Sequence, residues 1–216
     1  MRKKIFMGGM GGSGSRVVQR ILRDGGGYYL GEYLNGFEDF MGYDQSFVGR
    51  FNEGFFNNNW DRLHELIDVC VKGKDFWSLK HGHLMFIVPM LKEWYPDAHY
   101  LHTVRHPIDN QLNEYDTHIS YGYRDRGREY SLQDKMDFYD KHNNIALDHA
   151  DYYVRLEDVC FKKEETINNL LTWAGVPLEE QNMPKARCNI NVPNTIGRGK
   201  QYYTQFNHSI IKRLGY

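Results

Sequence analysis

The segment Lys3–Arg16, KKIFMGGMGGSGSR, contains five glycines in the seven residues that follow a short apolar run. A helical pattern of apolar residues, from Val17 to Leu22, begins directly after it. A strand, a glycine turn and a helix start together aim several backbone N–H groups and the positive end of a helix dipole at one anion. Glycine suits such a loop because a Cβ would block both positive φ angles and the close approach of a phosphate. The sequence therefore predicts that a phosphorylated ligand binds near the N-terminus.

Composition narrows the class of protein. The chain has 216 residues and a formal net charge of −1, which gives no general electrostatic support to a nucleic-acid partner. Its three cysteines, Cys70, Cys160 and Cys188, lack metal-ligand spacing and are expected to be reduced thiols. No secretory signal and no apolar run of membrane-spanning length is present. We expect a cytoplasmic protein without a membrane span.

Apolar periodicity and turn residues predict alternating strands and helices. The predicted strands cover residues 3–8, 76–80, 99–104 and 152–155. The predicted helices cover residues 15–24, 60–71, 84–94, 131–150 and 162–173, and Pro107 begins a further one. This alternation indicates one α/β domain over residues 1–216, with a parallel sheet of four to five strands flanked by helices. Residues 25–58 are expected to form loops around a ligand pocket, and residues 188–216 a basic loop followed by a short helix.

The glycine loop differs from the nucleoside-triphosphate P-loop, G-x-x-x-x-G-K-[ST]. The glycine spacing from Gly9 to Gly14 fits, but Ser15 and Arg16 stand where Lys and Ser or Thr are required. A metal-dependent kinase is therefore disfavoured, although a P-loop nucleotide kinase or phosphotransferase stays an alternative. Backbone N–H groups, the Ser13 and Ser15 hydroxyls and Arg16 could hold one phosphate without a metal. A non-catalytic nucleotide-binding module and a plain glycine turn are the other interpretations.

A second anion site is predicted at Arg105-His106-Pro107. Arg105 ends a predicted strand and Pro107 opens a helix, so a guanidinium and a helix start meet at one point. Asn113, eight residues after Arg105, could donate to the same group. An arginine in this place can equally be a surface ion pair, and its interest comes from sharing a sheet edge with the glycine loop.

These motifs resemble those of the sulfotransferases that use 3′-phosphoadenosine 5′-phosphosulfate (PAPS). The family's loop G-x-P-[RK]-S-G-T-[TS] corresponds to Gly9–Arg16. Its strand ending in Arg-x-Pro, with a serine eight residues after the arginine, corresponds to Arg105–Pro107 with Asn113. Two later segments, R-Y-E-D-L and V-G-R-W-R, correspond to Arg155–Val159 and Ile196–Lys200.

The resemblance implies a P-loop-like fold and a sulfuryl transfer from PAPS to a hydroxyl (or amine) acceptor, in line and without a metal. The acceptor would be a small molecule or a carbohydrate, and the sequence does not predict the oligomeric state. The residues that the resemblance assigns to PAPS are Gly11, Gly12, Ser13, Gly14, Ser15, Arg16, Arg105, Asn113, Arg198, Gly199 and Lys200.

Three positions depart from the family pattern. Gly12 stands in place of the Lys or Arg of the loop, and Arg16 or Lys80 is the expected substitute. Asn113 replaces the serine, and Leu156 stands where some members carry a tyrosine that stacks on adenine. Other aromatic candidates for that stacking are Trp60, Phe206, Tyr202 and Tyr203.

The catalytic candidates are Lys80, His81 and His83, directly after the second predicted strand. Histidine suits removal of a hydroxyl proton because its pKa lies near neutrality, and lysine suits neutralisation of the moving SO₃ group. By resemblance His83 takes the place of the catalytic histidine of cytosolic members, with His81 in reserve. A histidine that caps a helix start is the structural alternative. Glu32 and Glu38 are candidate carboxylate bases.

Overall fold

The computed structural model describes residues 1–29, 53–112, 130–188 and 190–216. They form an α/β domain around a parallel sheet of four strands, which confirms the predicted architecture. The strands are β1 (Lys4–Gly8), β2 (Trp77–Lys80), β3 (Ala98–Val104) and β4 (Tyr152–Arg155), in the spatial order β2-β1-β3-β4. Because all pairs are parallel, the carboxyl ends of the strands share one edge.

Helices follow the strands, as the alternation predicted. We number them α1 (Ser15–Arg20), α2 (Trp60–Val71), α3 (Val88–Trp94), α4 (Pro107–Gln111), α5 (Leu132–Asp148), α6 (Leu156–Phe161), α7 (Lys163–Trp173), α8 (Met183–Cys188) and α9 (Ser209–Arg213). A π-helix, Ile21–Gly25, continues α1, and 3₁₀ turns cover Gly82–Phe86, Leu178–Glu180 and Lys200–Tyr202.

The sheet divides the core into two layers. Along β1, Ile5 and Met7 point to the layer that also contains residues of α1, α7 and α8, while Phe6 points to the layer that contains residues of α2, α3 and α5. Strand side chains alternate between faces, so a continuous apolar run such as that of β1 buries both faces. All three cysteines are free; Cys70 and Cys160 are buried and Cys188 is exposed. Within the described ranges, no helix combines the length and apolar character needed to cross a membrane.

One predicted helix is wrong as a single element. Residues 84–94 were expected to be continuous, but the chain forms a 3₁₀ turn from Gly82 to Phe86 and a new helix from Val88. Pro89 explains the interruption: it has no N–H for the carbonyl of Met85, and its ring would clash with that carbonyl. Helices α6 and α8 have six residues each and were not predicted, because so short a segment carries too little periodicity to identify.

Candidate active site

The glycine loop turns tightly at the end of β1. Gly14 has φ +88° and precedes α1, and a Cβ there would lie 2.6 Å from Leu156 Cδ1. A Cβ on Gly9 would lie 2.3 Å from Thr103 Oγ1. Both positions therefore require glycine, and the loop lies directly against the end of β3 and the start of α6.

The Ser13 side chain connects this loop to β3. Its hydroxyl is buried and donates to Thr103 Oγ1 at 2.8 Å, while Thr103 donates to the Gly8 carbonyl at 3.1 Å. The Ser13 N–H is also used, by the Met10 carbonyl at 3.0 Å. Ser13 was expected to contact the ligand, and its placement suits it instead to holding the loop on β3.

A cleft of about 380 Å³ opens beside the loop. It is lined by Gly9, Gly11, Gly12, Gly14, Ser15, Arg16, Val17, Lys80, Gly82, Arg105, Leu156 and Pro193. The cleft thus unites residues of the glycine loop, Lys80 from the end of β2 and Arg105 from the end of β3. These are the groups that the sequence placed at one sheet edge.

Lys80 brings a buried positive charge into the cleft. Lys80 is only 9 % exposed. Burial, together with the positive charges of Arg16 and Arg20, lowers the pKa of Lys80 to about 8. Because these cations repel one another, an anion bound beside Lys80 and Arg16 would lower the free energy of the site.

Arg105 faces the same cleft and is 5 % exposed. Its Nη2 donates to Thr195 Oγ1 at 2.9 Å, and Tyr139 Oη donates to its backbone carbonyl at 2.8 Å. Among the described residues, Arg105 Nε has no hydrogen-bond partner. A buried guanidinium N–H without an acceptor costs free energy, and a phosphate oxygen would satisfy it.

Helix α4 connects the separate walls of the cleft. Asn110 Nδ2 donates to the Gly11 carbonyl at 2.8 Å, which ties α4 to the glycine loop. Asp109 accepts the backbone N–H groups of Gly197 and Gly199, the latter at 2.7 Å.

The predicted basic segment Arg198–Lys200 lies on α4. Arg198 Nε and Nη2 donate to the Asp109 carbonyl at 2.9 and 2.5 Å. Gly199 uses its N–H on the same residue, and Lys200 is exposed at the start of a 3₁₀ turn. All three were expected to bind PAPS, yet none lines the cleft in the described part of the chain.

The segment Arg155–Val159 also has a supporting place. Arg155 pairs with Asp158 through two hydrogen bonds and donates to the Leu214 carbonyl at 2.8 Å. Glu157 accepts the His106 N–H at 2.9 Å and the Tyr216 hydroxyl at 2.6 Å. This segment therefore connects Leu214 and Tyr216 to His106, the residue that follows Arg105.

His81 and His83 contact each other directly after β2. His81 Nδ1 accepts the His83 backbone N–H at 3.1 Å, so it caps the 3₁₀ turn and carries no proton on that nitrogen. His83, 8 % exposed, stacks on Phe55 with ring centroids 4.6 Å apart and meets Phe56 edge-on at 5.3 Å. Neither imidazole lines the cleft, whereas Lys80 and Gly82, their neighbours in sequence, do.

Some predicted residues lie outside the described ranges: Asn113, Glu32, Glu38 and most of the segment 25–58. Of the aromatic candidates, Tyr203 stacks on His106 at 3.7 Å and Trp60 packs near Phe55 at 6.2 Å. Leu156 itself lines the cleft beside the glycine loop.

The family model described as "Sulfotransferase family" matches residues 4–180. This chain belongs to the sulfotransferase family. No curated protein sequence matches it.

Three solved structures are similar to this sulfotransferase-family chain. The sulfotransferase STF1 from Mycobacterium tuberculosis H37Rv is 16 % identical, with a TM-score of 0.48, over 88 % of this chain and 70 % of that one. Shikimate kinase from Bacteroides thetaiotaomicron is 12 % identical, with a TM-score of 0.45, over 80 % and 96 %. Retinol dehydratase, solved with androsterone and the inactive cofactor PAP, is 13 % identical, with a TM-score of 0.43, over 87 % and 64 %.

Sequence reasoning missed four residues that build the site: Asp109, Asn110, Tyr139 and Thr195. Each contacts a partner that lies far away in the sequence, so no local motif marks it. The local pattern at Asp109 offers no signal either, because an acidic residue in the first turn of a helix is ordinary.

Proposed function

We propose that this chain transfers a sulfuryl group from PAPS to a hydroxyl group of a small molecule or carbohydrate. The observation that carries the proposal is the common cleft of the glycine loop, Lys80, Arg16 and Arg105. Membership of the sulfotransferase family supports it.

The cleft residues fit a ligand with two separate anionic groups. Arg16 and the backbone around Gly12 and Gly14 would hold the 5′-phosphosulfate at the start of α1. Arg105 would hold the 3′-phosphate, which would satisfy its buried Nε. Arg16 and Lys80 supply the positive charge that the family places at the position of Gly12.

PAPS, when bound, supplies the sulfuryl group, which passes from its phosphate oxygen to the acceptor oxygen and leaves PAP (3′-phosphoadenosine 5′-phosphate). Lys80 would neutralise negative charge that develops around the moving group. His83 would take the acceptor's proton. His81 is less suited, because its Nδ1 is occupied by the His83 N–H and its Nε2 then carries the proton of the neutral ring.

Thermal-shift measurement with PAP, ADP, ATP and 5′-AMP tests the donor assignment. PAP should raise the melting temperature most, because it alone carries phosphates at both ribose positions. If ATP with Mg²⁺ gives the larger shift and is hydrolysed or transferred, the P-loop kinase alternative replaces this proposal. If PAP binds and no acceptor in a broad panel is sulfated, the chain is a nucleotide-binding module.

His83→Ala tests the role of the base. Turnover should fall by about 10²- to 10⁴-fold, the range typical of a lost general base. PAP affinity should stay within about twofold, since His83 does not line the cleft. His142→Ala is the matched control, because His142 also packs among phenylalanines, 5.0 Å from Phe86 and 4.3 Å from Phe138. Equal turnover in the two variants would reject His83 as the base.

A further inference from the structure

Asp109 is the most deeply placed carboxylate near the cleft. It is fully buried in α4, four residues after Arg105. Its Oδ2 accepts the N–H of Gly197 and its Oδ1 accepts the N–H of Gly199 at 2.7 Å. These partners lie 88 and 90 residues away in the sequence. The carboxylate therefore binds two backbone N–H groups of one turn.

The turn is shaped to sit on α4. A Cβ on Gly199 would lie 2.5 Å from Ile108 Cγ2 and 3.0 Å from Asp109 Oδ1, so any larger residue would lift the turn from the helix. Arg198 adds a third connection, since its guanidinium donates to the Asp109 carbonyl. The side chain and the backbone carbonyl of Asp109 thus accept hydrogen bonds from three consecutive residues, Gly197, Arg198 and Gly199.

The residues just before this turn, Pro193 and Thr195, contribute to the cleft in two ways. Pro193 lines the cleft directly, and Thr195 accepts the hydrogen bond from Arg105 Nη2 at 2.9 Å. The segment 193–196 is itself a turn, in which Ile196 N–H donates to the Pro193 carbonyl at 3.2 Å. Whatever fixes Gly197 and Gly199 therefore also fixes the acceptor that orients Arg105.

We propose that Asp109 is a positioning residue for the donor nucleotide: it anchors the segment 193–199 on α4, and through Thr195 it holds Arg105 in the orientation that receives a phosphate. This inference rests on the proposed function. It assigns no contact between Asp109 and the ligand, and it gives the segment Ile196–Lys200 an architectural role.

Asp109→Asn is the informative substitution, because it keeps the shape of the side chain and replaces one acceptor oxygen by an NH₂ group that faces a glycine N–H. Asp75→Asn is the matched control: Asp75 is exposed in a bend before β2. Gly199→Ala is a second variant that lifts the turn and leaves the Asp109 carboxylate intact.

Two measurements are made on each full-length variant. Hydrogen exchange of the Gly197 and Gly199 amides, followed by NMR, reports the anchor without any ligand. We expect exchange about tenfold faster or more in Asp109→Asn, with the amides of β3 unchanged. Calorimetric titration with PAP and steady-state kinetics should show a Kd and a KM for PAPS raised about tenfold, with kcat within about twofold. Gly199→Ala should reproduce the loss of affinity, and Asp75→Asn should change neither quantity.

The outcomes separate the two proposals. Unchanged exchange at Gly197 and Gly199 would overturn the anchor, and faster exchange with unchanged PAP affinity would overturn its role in donor binding. Should Asp109→Asn fail to fold, Gly199→Ala decides by the same two readouts. If the unmodified protein does not bind PAP, the proposed function fails, while the exchange data still establish or reject the anchor.

Discussion

The burial of Lys80 destabilises the fold, yet it places a positive charge at the cleft where the proposed chemistry needs one. An ammonium group buried at the end of β2 loses its hydration, and Arg16 and Arg20 repel it. The folded chain accepts this unfavourable placement at a position that lines the cleft. A perturbed charge in a cleft is typical of functional sites, where an anionic ligand can bind next to it.

Lys80→Met should therefore stabilise the ligand-free protein and abolish turnover. The pKa of Lys80 is about 8 in the folded state, against its ordinary value of 10.5. Below pH 8 the lysine is charged in both states, and its charge destabilises the fold by about 3 kcal/mol at most. Between pH 8 and 10.5 the unfolded chain binds more protons, so the stability of the unmodified protein rises with pH towards that of Lys80→Met. Denaturant unfolding at pH 7 and pH 10 measures both differences.

Lys72→Met is the control for this prediction, since Lys72 is exposed after α2. It should change neither the free energy of unfolding nor turnover. A Lys80→Met variant less stable than the unmodified protein at pH 7 would mean that Lys80 is held by favourable interactions, contrary to the desolvation argument.

At the scale of elements, α4 is the part on which the cleft depends. It has only five residues, yet Arg105 precedes it, Asn110 fastens the glycine loop to it and Asp109 fastens the late segment. A short helix with fully buried polar side chains is unstable in isolation. Its stability must come from these distant partners.

Asn110→Ala should weaken binding of PAP and of 5′-AMP by a similar factor. The change removes the hydrogen bond to the Gly11 carbonyl and loosens the loop that would hold the 5′-phosphate, which both nucleotides carry. Loss of one buried hydrogen bond is worth about 1 kcal/mol, or roughly fivefold in affinity. Titration calorimetry measures both constants, and Asn168→Ala, exposed on α7, is the control. A loss confined to PAP would place Asn110 at the other phosphate.

The sequence predicted the elements that carry strong local signals. β4 and α2 have the predicted bounds, and α5 lies within the predicted helix 131–150, with Ser131 as its N-cap. Within such elements the buried side chains follow the spacing of apolar residues, and that spacing can be read directly from the sequence. The short helices α6 and α8 were not visible, because tertiary packing rather than propensity maintains them.

The candidate site was predictable only in part, for a related reason. Lys80, Arg16 and Arg105 follow strands or open helices, so their place at the sheet edge follows from the topology. The direction of a side chain does not: Ser13 turns inward to Thr103, and Arg198 turns to a backbone carbonyl. Both side chains donate to acceptors inside the protein. The pattern of residue types does not predict which acceptor a donor will use.

At the scale of the whole molecule, the two predicted anion sites meet because β1 and β3 are neighbours. Gly8 pairs with His102, so the glycine loop and Arg105 leave the sheet side by side although about ninety residues separate them. One cleft then receives the backbone donors of the loop and the guanidinium of Arg105. A ligand with charge at two points can engage both, whereas one with a single phosphate engages one.

Arg105→Met should therefore lower affinity for PAP and leave affinity for 5′-AMP nearly unchanged. Hydrogen bonds to a charged group contribute about 1.5–3 kcal/mol, so PAP should bind roughly 10- to 100-fold more weakly. Arg62→Met, an exposed arginine on α2 paired with Glu65, loses the same charge far from the cleft and should affect neither nucleotide. The ratio of the two dissociation constants, measured by calorimetry at one salt concentration, isolates the contribution of the second phosphate from general electrostatic attraction. An equal loss for PAP and 5′-AMP would show that Arg105 acts on the whole cleft, and the assignment of the 3′-phosphate to it would have to be abandoned.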